Sequence, residues 1–244
     1  MSNLQYHRPK TLDEALRLLA RPGAAPLAGG TRLVPALGET TVRDAVDLQA
    51  VGLTDIDVTE AAVTLGAMLR LQTLAADDRL PPLLRQMARR EGPNTTRHAA
   101  TLGGAIATAD WESELFAALL VHEAVVTVRT AAETRTLPLA DWSAAALAGG
   151  GLVTAVTLRS GGQTAAERVA RTPADRPIVA AVARQDAAGR LHLALCGVAK
   201  RPILVAPDAV DGLTPPADFR GSSAYRLEMA RLLSRRVLDR VRKP

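Results

Sequence analysis

Two glycine pairs constrain this chain more than any other feature of its sequence. Residues 28–37 read AGGTRLVPAL and residues 101–110 read TLGGAIATAD, each pair leading into a short apolar run. Glycine reaches positive φ without a Cβ penalty and lets a ligand approach bare backbone N–H groups, so two such loops can form the two sides of a pyrophosphate cradle. A single Gly-Gly pair also marks an ordinary turn. Neither stretch has the G-x-x-x-x-G-K-[ST] spacing of a P-loop or its lysine, and neither reads G-x-G-x-x-G. Both of those nucleotide-binding loops are therefore excluded.

The remaining composition narrows the chemistry. With 244 residues, 48% of them hydrophobic, the chain can bury a sizeable core in one or two domains. No uncharged apolar run reaches the length of a membrane span, and the opening MSNLQYHRPK lacks the apolar segment of a signal peptide, so a cytoplasmic protein is expected. The lone Cys196 excludes an internal disulfide and an iron–sulfur cluster held by this chain alone. His7, His98, His122 and His192 form no H-x-x-x-H pair, and no metal site is expected. Redox chemistry here would need an organic cofactor. The net charge of +5 raises the question of nucleic acid, but aromatics are only 2% of the chain and stacking platforms are scarce. Basic residues collect only near the C-terminus, at Arg231, Arg235, Arg236, Arg240, Arg242 and Lys243, which reads as a solvated helix face or a partner-docking surface.

Local patterns divide the chain. Thr11-Leu12-Asp13-Glu14 is a capping box, the apolar positions Leu12, Ala15, Leu16 and Leu19 follow at helical spacing, and Pro22-Gly23 ends the helix. Strands are expected at 25–28, 45–48, 56–58, 62–68, 124–130, 133–137, 152–158, 178–183 and 191–198, and helices at 69–76, 82–90 and from Pro138 to Leu147. EGPNTTRHAA, residues 91–100, has no periodic signal and reads as loop. Gly149 to Gly151 reads as a turn, residues 160–163 as a linker, and residues 186–189 as the turn between the last two strands. The final helix places Tyr225, Met229, Leu232, Leu233, Val237 and Val241 on one stripe.

The segments YHRPKTLDEALRLLA, PLAGGTRLVPAL and RHAATLGGAIATAD, in that order, resemble the FAD-binding subunit or domain of the xanthine dehydrogenase and carbon monoxide dehydrogenase family of molybdenum hydroxylases. ARTPADRPIVAAVARQDAAGRLHLALCGVAKRPILV looks like that family's C-terminal sheet, and FRGSSAYRLEMARLLSRRVL like its terminal helix. The resemblance implies an α+β fold of the PCMH type. Residues 1–159 would form the FAD-binding domain, in subdomains of about 1–52 and 53–159, and residues 165–244 a C-terminal α+β domain with a small antiparallel sheet. It implies FAD as cofactor, a molybdopterin-containing large subunit and a 2Fe-2S small subunit as partners, and a dimer of heterotrimers as one assembly. Electrons would pass from the clusters through FAD to an acceptor such as NAD⁺ or a quinone. No nucleic acid, membrane span or catalytic acid–base pair belongs to that picture.

The resemblance also implies which residues hold the cofactor: Ala28, Gly29, Gly30, Thr31, Arg32 and Leu33 from the first loop, and Thr101, Gly103, Gly104, Ala105, Asp110 and Glu114 from the second. Two positions depart from the family pattern. Arg32 stands where A-G-G-T is followed by Asp or Asn, and Ala105 stands where T-[IL]-G-G-N has its asparagine. An arginine adds a charge-assisted phosphate contact if it turns inward. Ala105 offers no side-chain hydrogen bond, so a flavin-poor assembly homologue is the alternative function. The A-[SD]-P-x-x-D continuation appears as Ala109-Asp110-Trp111-Glu112-Ser113-Glu114. Asp110 and Glu114 can accept from ribityl hydroxyls, and Asp110 can equally cap the helix that follows. The segment between Leu158 and Pro177 is short for the family.

Overall fold

The computed structural model of the chain describes residues 4–242, so Lys243 of the basic cluster lies outside the described residues. The chain builds three sheets in succession. In the first unit β1 (Gln5–His7), α1 (Leu12–Leu19), β2 (Ala24–Leu27), α2 (Leu33–Ala36) and β3 (Asp44–Asp47) form a parallel sheet in the order β1-β3-β2. Thr11 caps α1 by accepting from the Glu14 amide at 3.2 Å, while the Glu14 carboxylate accepts from the Lys10 amide at 3.0 Å. The buried stripe of α1, Ala15, Leu16 and Leu19, packs with Val46, Leu48, Met68 and Leu152.

The second unit holds β4 (Ile56–Val58), β5 (Ala62–Gly66), the helices α3 (Leu71–Ala76), α4 (Pro82–Arg90), α5 (Asn94–Ala99), α6 (Leu102–Thr108) and α7 (Glu114–Val121), and then β6 (Val125–Arg129), β7 (Thr134–Pro138) and β8 (Leu152–Arg159). Its strands form an antiparallel sheet in the order β4-β5-β8-β6-β7. Every residue of α7 is buried, and all but Glu114 are apolar, as a helix sunk in the core requires. It lies between α4 and the third sheet.

That third sheet runs β12-β11-β10-β9, antiparallel, from β9 (Gln163–Val169), β10 (Val179–Gln185), β11 (Leu191–Cys196) and β12 (Ile203–Leu204). Helix α8 (Ser223–Arg242) covers its other face. Because strand side chains alternate, Ala180, Val182, Ala194 and Cys196 join the core around α7. Val179, Ala181, Ala183, Leu193 and Leu195 join the core under α8. Covering both faces explains why these strands read as nearly unbroken apolar runs.

Several elements differ from the sequence reading. Residues 91–100 contain α5, a helix with no apolar stripe. Its Arg97 donates to the carbonyls of Gly92 (2.7 Å) and Arg89 (3.1 Å) and to Gln72 (3.0 Å). Residues 160–163 are a tight connection and the start of an additional strand, β9, which hides in the polar run QTAAERV. In place of a helix from Pro138 there are two short 3₁₀ turns, Leu139–Asp141 and Ala144–Leu147. The buried face of α8 is rotated: Tyr225 is 39% exposed, and Arg226, Ala230, Leu233, Ser234, Val237, Leu238 and Val241 face inward. Arg226 sets this register. Its guanidinium donates to the Ile178 and Gly197 carbonyls, pairs with Asp218 at 2.6 Å and lies 4.7 Å over the Trp111 ring. On the solvent side Arg231 pairs with Asp211, and Arg236 and Arg240 with Glu167.

His122 closes α7 and is buried, with Nδ1 2.8 Å from the Arg159 carbonyl. A carbonyl only accepts, so Nδ1 carries the proton. Burial above all, helped by the nearby Arg184 cation, pushes the imidazole pKa from 6.5 down to about 4 despite that hydrogen bond. Below the unfolded value the denatured chain takes up a proton that the native chain refuses, so stability falls as pH drops from 6.5 to about 4. The loss from this one group is about 3 kcal/mol. Chemical denaturation across that window should show a His122→Asn variant, whose amide does not titrate, losing less stability than wild type. Parallel curves would refute the assignment.

Candidate functional site

A cavity of about 430 Å³ opens between the first unit and the helices of the second, within the size range of cofactor pockets. Of the residues singled out from sequence, Ala28, Gly29, Gly30, Thr31, Arg32, Leu33, Thr101, Gly103, Gly104, Ala105 and Asp110 line it. Glu114 does not. The two glycine pairs thus meet across one space, but they do different jobs.

The first pair makes an open loop. β2 ends at Leu27, Gly30 turns the chain at φ +71°, and α2 begins at Leu33. Among the described residues, no hydrogen bond is made by the backbone N–H groups of Gly29, Gly30, Thr31 and Arg32. Four adjacent donors beside a cavity are what a phosphate cradle requires. Gly29 is demanded by packing, since a Cβ there would lie 2.1 Å from the Ala99 carbonyl oxygen.

The second pair is not a loop. Gly103 and Gly104 lie inside α6, and neither has positive φ. The α6 donors are already spent: Leu102 to the Leu69 carbonyl, Gly103 to Ala67, Gly104 to the Thr101 hydroxyl, and Ala105 to the Thr101 carbonyl, at 2.8 to 3.2 Å. This wall therefore offers shape in place of donors. A Cβ at Gly103 would sit 2.9 Å from the Ala67 Cβ, whereas one at Gly104 would meet only the Thr101 hydroxyl, at 3.1 Å. Gly104 and Ala105 keep the cavity side of α6 low.

Asp110 has other partners than a ligand. One oxygen accepts from the Glu112 amide at 3.1 Å; the other pairs with Arg32 at 2.5 Å and with Arg176 at 3.3 Å. The cap of α7 is Ser113, whose hydroxyl accepts from the Phe116 amide, and not Asp110. Glu114 is 2% exposed and holds Arg90 and Arg168, each at 2.9 Å. Its carboxylate is committed to these pairs, which corrects the expectation that it faces the cofactor.

Glu91, which the sequence reading left in an aperiodic loop, is the residue that was missed. It lines the cavity, and one oxygen accepts from the Ser113 hydroxyl (2.8 Å) and the Leu115 amide (3.0 Å), while the other pairs with Arg176 (3.1 Å). Burial pulls the Arg176 guanidinium down, but Glu91 and Asp110 more than reverse this and leave it above its ordinary value. Cys196 is fully buried behind this network, and burial above all, with Glu114 and Glu91 adding to it, pushes its thiol well up. Away from the cavity, Glu123, Asp186 and His192 bring ligand atoms within 4.8 Å of one another. Arg184 and Arg190 pair with those carboxylates, giving an ion-pair cluster.

Residues 2–158 match the family described as the FAD binding domain in molybdopterin dehydrogenase. An uncharacterized protein of Escherichia coli K12, YgfM, is 30% identical over 91% of this chain and 90% of its own length. The carbon monoxide dehydrogenase medium chain of Afipia carboxidovorans is 27% identical over 98% of this chain and 97% of its own. Among solved structures, a Cu,Mo-CO dehydrogenase superposes with a TM-score of 0.87 at 26% identity, covering 98% of this chain and 97% of that one. The chain belongs to the FAD-binding medium subunits of the molybdenum hydroxylase family. It is an oxidoreductase component, and its cofactor is FAD. The cavity fits that group in its free N–H row and its low glycine wall.

Two substitutions separate shape from folding. Gly104→Val should leave the thermal midpoint nearly unchanged and lower FAD affinity by at least about tenfold, because the added methyls enter the cavity. Equilibrium dialysis checks this, and full FAD uptake would overturn the wall assignment. Glu114→Gln strips the charge from a buried carboxylate facing two arginines and should cost about 3–5 kcal/mol in urea unfolding.

Proposed function

We propose that this chain is the electron-transfer flavoprotein of a molybdenum hydroxylase-type complex. It would accept electrons from iron–sulfur clusters on a small partner subunit and pass them to an acceptor such as NAD⁺ or a quinone, while substrate is hydroxylated on a large molybdopterin-containing subunit. In this reading residues 1–159 are the FAD-binding domain, residues 165–244 cover part of the flavin and meet the partners, and the complex is cytoplasmic. The observation that carries it is the row of unpaired donors at Gly29, Gly30, Thr31 and Arg32 beside the cavity.

When bound, FAD supplies the redox step itself. The chain binds and orients it. The first loop offers N–H groups to phosphate oxygens, and the Thr31 hydroxyl adds a donor. The apolar side chains of Met68, Leu71 and Leu152 line the cavity and keep water from its walls.

The test starts from the visible spectrum of the purified chain, before and after added FAD is removed. Flavin bands are expected, and they should bleach when a reduced 2Fe-2S partner subunit is mixed in under anaerobic conditions. Bound flavin that a reduced partner never bleaches would overturn the electron-transfer role. A chain that refuses FAD would favour the assembly role.

A further inference from the structure

The ion pair between Arg32 and Asp110 joins the two walls of the cavity, and its surroundings suit it to opening. Arg32 belongs to the donor row of the first loop, sits at the start of α2, and its side chain is 66% exposed. Asp110 follows α6 on the opposite wall and lines the cavity with it. Their contact at 2.5 Å is the one ion pair that Arg32 makes among the described residues. Asp110, by contrast, does not depend on Arg32. It keeps the Glu112 amide at 3.1 Å and the Arg176 guanidinium at 3.3 Å, and Arg176 is itself anchored on Glu91. Release of Arg32 therefore leaves no carboxylate bare.

We propose that Arg32 is a latch residue: it holds Asp110 across the cavity mouth in the free chain, and swings onto the cofactor's pyrophosphate when FAD enters. The inference rests on the assignment of this cavity to FAD. A half-solvated pair of this kind is weak, so little is lost when it opens. A pyrophosphate placed on the N–H row of residues 29–32 offers the guanidinium two negative charges and the paired geometry that arginine prefers. Among the described residues that line the cavity there is no other arginine or lysine. Asp110 thereby becomes a competitor of the cofactor, and the apparent affinity is the intrinsic one multiplied by the fraction of molecules in which the latch is open.

The experiment measures FAD dissociation constants by flavin fluorescence on the full chain stripped of flavin, for wild type, Arg32→Gln, Asp110→Asn and the double variant, with thermal midpoints recorded for each. Asp110→Asn should bind FAD a few-fold more tightly, because Arg32 is freed. Arg32→Gln should bind about tenfold more weakly and lose part of the salt dependence, through loss of a charge-assisted contact. Riboflavin, which has no phosphate, should show no loss on Arg32→Gln. The double variant should behave as Arg32→Gln, since the gain at 110 acts only through Arg32. A gain from Asp110→Asn that persists without Arg32, or no gain with the fold intact, overturns the latch. Failure of every form, wild type included, to bind FAD would instead overturn the cavity assignment and the latch with it.

Discussion

The structure depends on a seam of carboxylates and arginines along residues 110–114. Asp110, Glu112 and Glu114, joined by Glu91, face Arg176, Arg220, Arg168 and Arg90. Arg168, Arg176 and Arg220 come from the C-terminal part of the chain, and the carboxylates from the part that carries the glycine pairs. Carboxylates this buried are tolerated only with partners, because an orphaned charge costs several kcal/mol. The seam is therefore specific in register: shifting one side leaves charges bare. Between the charges, the Gly197 amide donates to the Trp111 carbonyl, the Cys196 thiol to the Ser113 carbonyl, and Arg226 stacks on Trp111.

This seam makes the burial of α7 possible. A helix with eight buried residues leaves little of its first turn to water, so partners for its first N–H groups come from within the protein. Ser113 serves the Phe116 amide and Glu91 the Leu115 amide, the carboxylate also suiting the positive end of the helix. With its start secured, α7 fills the space between α4 and the third sheet. One carboxylate on the cavity wall thus connects the cavity, the central helix and the segment leading into the C-terminal sheet.

The sequence showed some of this plainly. Thr11 and Glu14 sit three apart before an apolar stripe, a local pattern that tertiary contacts do not override, and α1 forms as the pattern says. Both glycine pairs pointed to one cavity, because their distinctive composition survives without any knowledge of contacts. Their conformations were not legible. A Gly-Gly reads as a turn, yet at 103 the residue is glycine because Ala67 lies against it, a contact between distant parts of the chain. The same holds for α5 and β9, which are stabilised by Arg97 reaching carbonyls and by pairing to β10 and so carry no stripe or alternation of their own. Glu91 and Glu114 are ordinary acids in one dimension. Their roles come from arginines up to 85 residues away.

The two departures from the family pattern gain meaning from the asymmetry of the cavity. A run of four adjacent free backbone donors lies on the first loop, while Leu102 to Ala105 of α6 have spent theirs on Leu69, Ala67 and Thr101. Ala105 therefore offers no side-chain donor on a helix whose first backbone donors are already engaged, and Arg32 adds an exposed cation to the wall that carries the N–H row. Both changes move polar recognition in the same direction, from α6 to the first loop. A site organised this way grips its ligand at one end and leaves the opposite wall smooth. Selectivity on that wall then falls to shape, and a side chain added at Gly104 should matter more than the loss of any single hydrogen bond there.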